Sequence, residues 1–390
     1  MSRLFNSVGY RRFLLAVLYV AVAAAVFNGF YTKWRLKDNH APHSLASMVA
    51  GTADRPYVYR QFAPAIANGI QDMLPAATVM HLSERLADPR RVNSRSGLAM
   101  RYPASEALLA PVTLRYHIVY YLTFMALVGS LFAMRSVCLR AGAGVPTATA
   151  APLVFALLLP FFLTEGGFFY DFFELLFMAC AILLAWRIPV EQPVRAAGRL
   201  GLLTAVAALA AWNKEAFFFY VITLYPFLRL SLPRIKAAAV VAGLIFVCGC
   251  VYLALRLRYA GNPGGAVSFQ PGANLLYFLA PGNWFRTEST YGIALPKSLS
   301  AVMVLMIAGV AATGWRLLPP PFRLHVWIAL AVNVPLFLLF AAEGEARNLS
   351  MLYLSLLVLM SMALATWMAT SAAASPPAPA APPAPRAGNP

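Results

Sequence analysis

The sequence predicts an all-α fold, a polytopic transmembrane helix bundle of about ten helices with a large periplasmic first loop bearing surface helices. Three observations predict it. The 390-residue chain is 61% hydrophobic and only 12% charged, where an ordinary soluble domain has roughly 25% charged residues. Its mean hydropathy is +0.68. Its Arg and Lys residues recur at the ends of apolar runs instead of forming one basic block. The formal charge of +17 therefore speaks for positive-inside topology and anionic lipid head groups, and not for nucleic acid.

Residues 1–12 carry Arg3, Arg11 and Arg12 and form a short cytoplasmic N-terminus. The first transmembrane helix is predicted at 13–31. Ala21-Val22-Ala23 fits a signal-peptide cleavage pattern. Apolar residues nevertheless continue to Phe30, giving about 18 residues, enough to span, and favouring an uncleaved helix. Residues 32–114 form a polar loop, long enough that its many arginines do not decide its side of the membrane. Within it, Phe62, Ile66, Ile70, Met73 and Leu74 fall near one face of a helix over Gln61–Leu74, suited to a membrane surface and stopped by Pro75. Val79–Leu86 reads as another turn or two.

The transmembrane bundle is predicted over 115–370, with helices at 116–134, 147–163, 168–186, 200–213, 215–229, 237–256, 299–317, 324–341 and 349–369. The pair 200–213 and 215–229 is short for a bilayer and reads as one broken or re-entrant element. A second outer loop lies at 257–298. The Pro/Ala-rich tail at 371–390 is expected to be extended, disordered and cytoplasmic. Cys138, Cys180, Cys248 and Cys250 lie in or beside apolar runs, where they act as small apolar residues and imply no disulfide framework.

The helix ends alternate in charge. One set carries Arg135 and Arg140, then Arg187, Arg195 and Arg199, then Arg229, Arg234 and Lys236, then Arg316 and Arg323. The opposite set carries Glu165, Asp171 and Glu174, then Lys214 and Glu215, then Glu343, Glu345 and Arg347. The basic side is cytoplasmic by the positive-inside rule, which puts both termini inside and both long loops outside.

Candidate chemistry gathers at that outer face. The stretch Lys33–Pro64 holds Asp38, His40, His43, Asp54, Arg55 and Arg60 directly after the first apolar run. Asp38 or Asp54 is positioned to act as a general base on an acceptor hydroxyl, and Arg55 and Arg60 to hold a phosphate. A surface Asp–Arg pair is the plainer alternative. Asp171 and Glu174, at i and i+3 in an aromatic run after Gly166-Gly167, share a helix face. Carboxylates there are costly and functional by default, or else they mark an interfacial helix end. Lys214 and Glu215 interrupt an apolar run, as a phosphate-binding Lys with an acidic neighbour or as a polar turn. Glu343, Glu345 and Arg347 either orient a sugar or diphosphate or cap a helix start. His40 and His43 offer at most a weak metal contact, and no metal or cofactor is expected.

This layout resembles the GT-C superfamily of membrane glycosyltransferases. The residues carrying the resemblance are Asp38 just beyond the first helix and the stretch DRPYVYRQFAPAI in the loop that follows. The loop lacks the Asp-x-Asp, Asp-Asp or Asp-Glu pair of the commoner members. The resemblance implies sugar transfer from a polyprenyl-phosphate donor at the outer face, with membrane lipids and a polyprenyl-phosphate-linked sugar as partners. It implies catalytic Asp38 or Asp54, phosphate contacts from Arg55, Arg60, Lys214 or Arg347, and supporting acids Asp171, Glu174, Glu215, Glu343 and Glu345. The Ala/Arg-rich composition suggests a bacterial inner membrane. A transporter or flippase for a lipid-linked or anionic substrate is the alternative, and a non-catalytic envelope protein the third. No internal repeat of the transporter kind is visible.

Overall fold

The computed structural model describes residues 8–38, 40, 42–88, 105–109, 111–265, 267, 269–290, 293–297 and 299–374. Of the tail expected to be disordered at 371–390, residues 371–374 instead continue the last helix, and 375–390 lie outside the described residues. The fold is all-α. Among the described residues, fourteen helices account for nearly all of the regular structure, and every predicted apolar run is helical. In chain order they are α1 (Val8–Trp34), α2 (Leu45–Ala50), α3 (Phe62–Asp72), α4 (Ala76–Ala87), α5 (Thr113–Arg140), α6 (Val145–Phe162) and α7 (Tyr170–Ala185). Then follow α8 (Pro193–Asn213), α9 (Phe217–Leu228), α10 (Arg234–Arg258), α11 (Ala273–Leu279), α12 (Ala301–Gly314), α13 (Pro320–Phe340) and α14 (Tyr353–Ala374). One antiparallel hairpin, β1 (Thr287–Thr290) and β2 (Ile293–Pro296), sits in the second loop with Thr287 opposite Pro296.

Among the described residues, seven helices are long and apolar enough to cross a membrane: α1, α5, α6, α8, α10, α13 and a unit running Ala346–Thr370 that includes α14. Three predicted helices, α7, α9 and α12, fall short of that length. Boundaries also move. α1 extends beyond 13–31 at both ends, because backbone hydrogen bonding continues through Arg11, Arg12 and Lys33 after the apolar stretch has ended. α8 starts at Pro193 and not near 200, since proline at the first turn presets the helical φ and sacrifices no bond. The pair around residue 214 is thus one full-length helix and one short one. Lys214 is extended, at φ −160° and ψ 130°, and α9 is itself interrupted by a 3-10 turn at Val221–Leu224.

Burial sorts the helices. In the apolar window, 72% of the α14 unit is buried, against 22% for α8 and for α10. α14, and α7 with most of its side chains buried, are the inner helices, and α1, α8 and α10 turn much of their surface outward, as lipid-facing helices must. Two of the four free cysteines, Cys138 and Cys248, are buried and Cys250 is exposed.

The alternation of charged ends has a spatial counterpart. At one end of the bundle, Arg140 of α5 and Arg199 of α8 both donate to the Leu183 carbonyl near the end of α7, each at 2.5 Å. They satisfy the carbonyl groups that every helix C-terminus leaves open. At the other end, the first loop packs against α5, α7 and α8. Its helix α3 does more than lie on a surface: Phe62 inserts edge-on against Phe173, Phe177 and Trp212. The loop is also tied to the second loop, where Arg55 donates to the carbonyls of Pro263 (backbone, 2.8 Å) and Gly264 (side chain, 2.7 Å). Asn262 donates to the carbonyls of Gly51 and Ala53.

Candidate functional site

The start of α7 is where the polar residues converge. Gly166 and Gly167 let the chain pass close to its neighbours. A Cβ on Gly166 would lie 2.6 Å from a Glu345 carboxylate oxygen, and one on Gly167 would lie 2.7 Å from the Trp34 ring. The absent side chains thus let α1, α7 and the segment before α14 meet.

Asp171, in the first turn of α7, accepts the Phe168 N–H at 3.0 Å and so pins the chain that leads into the helix. It also pairs with Lys214 (3.2 Å) and Arg347 (3.1 Å). Glu174, one turn on, pairs with Lys214 at 2.6 Å and accepts the Ser350 hydroxyl at 2.8 Å. Arg347 is held a second time by Glu345 at 2.6 Å, and Asn348 donates to the same carboxylate at 2.7 Å. Arg60, from the first loop, forks onto Glu215 with contacts of 3.1 and 2.5 Å and donates to the Tyr170 hydroxyl. Four carboxylates thus face three cations. Asp171, Glu174, Lys214, Arg60 and Arg347 are all buried, where an unpaired charge would be very costly. A cavity of about 10 Å³ lies among Asp171, Glu174, Arg347, Ser350 and Tyr353, room for about one water and not for a substrate.

Above this network runs an aromatic ladder. His40 stacks on His43 (centroids 5.2 Å), His43 meets Tyr57 (4.8 Å), Tyr57 stacks on Phe168 (5.6 Å) and Phe168 on Tyr170 (4.8 Å). Cations line it. Arg347 lies 4.7 Å from the Phe168 centroid and Arg60 4.6 Å from that of Tyr170. Lys37 lies 4.4 Å from Phe168 and 3.9 Å from Trp34. Burial, and then the positive charges of Lys37 and His40, push the His43 imidazole down to about 4, with Asp54 opposing and Arg60 adding to the shift. Among the described residues, no group of three or more His, Cys, Asp or Glu side chains could hold a metal ion.

The two loop aspartates have different surroundings. Asp38 is buried and fully occupied: it accepts the Ser105 hydroxyl at 2.5 Å and the Tyr116 hydroxyl at 2.8 Å, and Tyr116 in turn bonds Tyr31. It clamps the loop to α1 and α5. Asp54 is half-buried, and its carboxylate makes no hydrogen bond or ion pair among the described residues. Of the other residues singled out, Arg60, Lys214, Arg347, Asp171, Glu174, Glu215 and Glu345 come together. Arg55 is spent on Gly264, and Glu343 is exposed away from the network. Sequence reasoning passed over Lys37 and Ser350, and took Phe168 and Tyr170 only as members of an aromatic run around Asp171 and Glu174. Nothing near Lys37 in the sequence separates it from its basic neighbours Lys33 and Arg35. The glycine pair before the aromatic run was the one local signal for Phe168 and Tyr170.

Compared with protein-family models, curated proteins and solved structures, the chain matches none of them.

Proposed function

We propose that this chain is an integral membrane glycosyltransferase-like protein of a bacterial inner membrane, moving a sugar from a polyprenyl-phosphate donor at the periplasmic face. The observation that carries the reading is the meeting of the first loop, the α7 start, the α8–α9 break and the segment before α14 in one buried ionic network, roofed by aromatic rings. A network of this kind fixes a loop rigidly over a bundle end, which is what a site for positioned group transfer needs. Aromatic faces suit sugar rings, and the flanking helices suit a lipid chain.

In this reading Asp54 takes the proton of an acceptor hydroxyl. The acceptor oxygen then bonds to the anomeric carbon as the bond from that carbon to the phosphate oxygen breaks. Polyprenyl phosphate leaves with the bonding electron pair, and the proton passes from Asp54 to water. Asp54 is preferred to Asp38 because its carboxylate is unengaged. The test is transfer of radiolabelled sugar from a polyprenyl-phosphate donor by protein reconstituted in nanodiscs. D54N should lower the rate by about 10²–10⁴-fold, the usual range for a lost general base. Full activity in both D54N and D38N would sink the assignment.

A transporter reading draws on one feature, the discontinuity at Lys214 between α8 and α9, since broken helices at charged sites recur in transporters. Flux of polyprenyl-phosphate sugar across proteoliposomes without sugar transfer would favour it.

A further inference from the structure

Three cations that sequence analysis put forward as phosphate ligands are already taken. Arg60 has Glu215, Lys214 has Asp171 and Glu174, and Arg347 has Asp171 and Glu345. An incoming anion would have to displace a buried carboxylate from each, which leaves that carboxylate uncompensated.

Lys37 is different. It is half-buried, and among the described residues its ammonium makes no hydrogen bond and no ion pair. It rests on the faces of Trp34 and Phe168. The Phe168 ring also carries Arg347, so two cations share one ring at the edge of the network. The backbone holds Lys37 there at a left-handed φ of +62°, an uncommon conformation for a residue with a side chain. Its own N–H donates to the Trp34 carbonyl at 3.1 Å, and its carbonyl accepts the His40 N–H at 3.3 Å.

We propose that Lys37 receives the phosphate of an anionic ligand at the edge of this network, while Arg60, Lys214 and Arg347 form the scaffold beside it. The lipid part of that ligand rests on the transferase reading; the phosphate contact does not. A compact ammonium suits a phosphate as a point charge and needs no bidentate geometry. The charges facing Lys37 are Arg347 and Lys33, which are positive, and Asp171 and Glu345, which are negative. Lys33 is paired with Glu288 at 2.6 Å and Arg347 with both of those carboxylates, so among the described residues Lys37 alone of these cations keeps an unpaired charge. His43, across the ladder, is neutral at pH 7. Burial first, and Arg347 next, lower the Lys37 ammonium to about 8. A bound phosphate would reverse that effect, and affinity would fall as pH rises through the Lys37 titration.

The chain has only five lysines: Lys33, Lys37, Lys214, Lys236 and Lys297. Reductive ¹³C-dimethylation of the full chain in phosphatidylcholine nanodiscs therefore gives few signals. Loss of one peak in K37R assigns Lys37. Inorganic phosphate, farnesyl phosphate and acetate are then titrated separately. The expected result is a Lys37 midpoint that moves upward with a phosphate, and phosphate affinity about tenfold or more weaker in K37M, as for a lost charged hydrogen bond. K37R should retain most of the affinity, and K297M all of it.

A shift with farnesyl phosphate alone supports the proposal with a lipid source. A shift with both phosphates supports it for the phosphate group itself. An equal shift with acetate overturns the phosphate class. An unmoved midpoint, or K37M binding farnesyl phosphate as the parent does, overturns the proposal outright. Phosphate binding without any sugar transfer would leave Lys37 standing and remove the transferase reading.

Discussion

At the scale of single residues, charge and its compensation separate side chains that look alike in the sequence. Asp38 and Asp54 lie in the same polar stretch, yet Asp38 anchors two hydroxyls and Asp54 none. Asparagine at 38 keeps one carbonyl acceptor where the carboxylate offered two, so one buried hydroxyl loses its partner. D38N should therefore cost roughly 1–3 kcal/mol, read as a lower midpoint of thermal unfolding, while D54N leaves that midpoint unchanged. The opposite order would exchange their roles.

Lys37 and His43 carry opposite pH signatures. Lys37 titrates near 8 in the fold and near 10.4 when unfolded. Its stabilising contribution is present above the unfolded value and is lost as pH falls through about 8, so at neutral pH its charge works against the fold. K37M removes this titration together with the two ring contacts, so the rise in stability that the parent shows as pH climbs from about 8 to about 10.4 should be absent in the same variant that loses phosphate. His43 titrates near 4 in the fold and near 6.5 when unfolded. Its contribution is whole above about 6.5 and is lost as pH falls toward 4. H43F should flatten the acid limb of stability across that window, and an unchanged limb would show that His43 is not neutral in the fold.

At the scale of elements, the helices were legible and their pairing was not. Ten apolar runs announced ten helices because burial in lipid or in a bundle needs unbroken apolar length. The first loop's α3 and α4 were legible from amphipathic spacing and from Pro75. What joins these elements is long-range: Arg60 meets Glu215 and Arg347 meets Asp171 across 155 and 176 positions. A sequence shows that such charges are expensive and therefore paired, but not which partner each takes. The same limit hid Lys37, whose distinction is the lack of a carboxylate that its neighbours have.

The pairing has a measurable consequence. Lys214 alone neutralises Glu174 and shares Asp171 with Arg347. K214M should destabilise the protein by roughly 3–5 kcal/mol, since it leaves a carboxylate buried without a cation. Adding E174Q to K214M removes that carboxylate's charge and should recover part of the loss. A double variant as unstable as the two single losses summed would mean the pair is not coupled.

At the scale of the whole molecule, the separation of basic from acidic helix ends is the property that orients the rest. Arg140 and Arg199 meet at one end, and the ionic network and both long loops meet at the other. Positive charge next to a span is retained on the cytoplasmic side, so the basic end is expected inside and the network outside. Met73, at the tip of α3, is 87% exposed, and Ile235, at the start of α10, is 84% exposed. They mark the two ends. In a background with the four native cysteines replaced by serine or alanine, M73C should react with a membrane-impermeant maleimide in intact spheroplasts. I235C should react only after the membrane is opened. Reversal of that pattern would place the ladder, Lys37 and Asp54 in the cytoplasm, where a donor on the outer leaflet could not reach them.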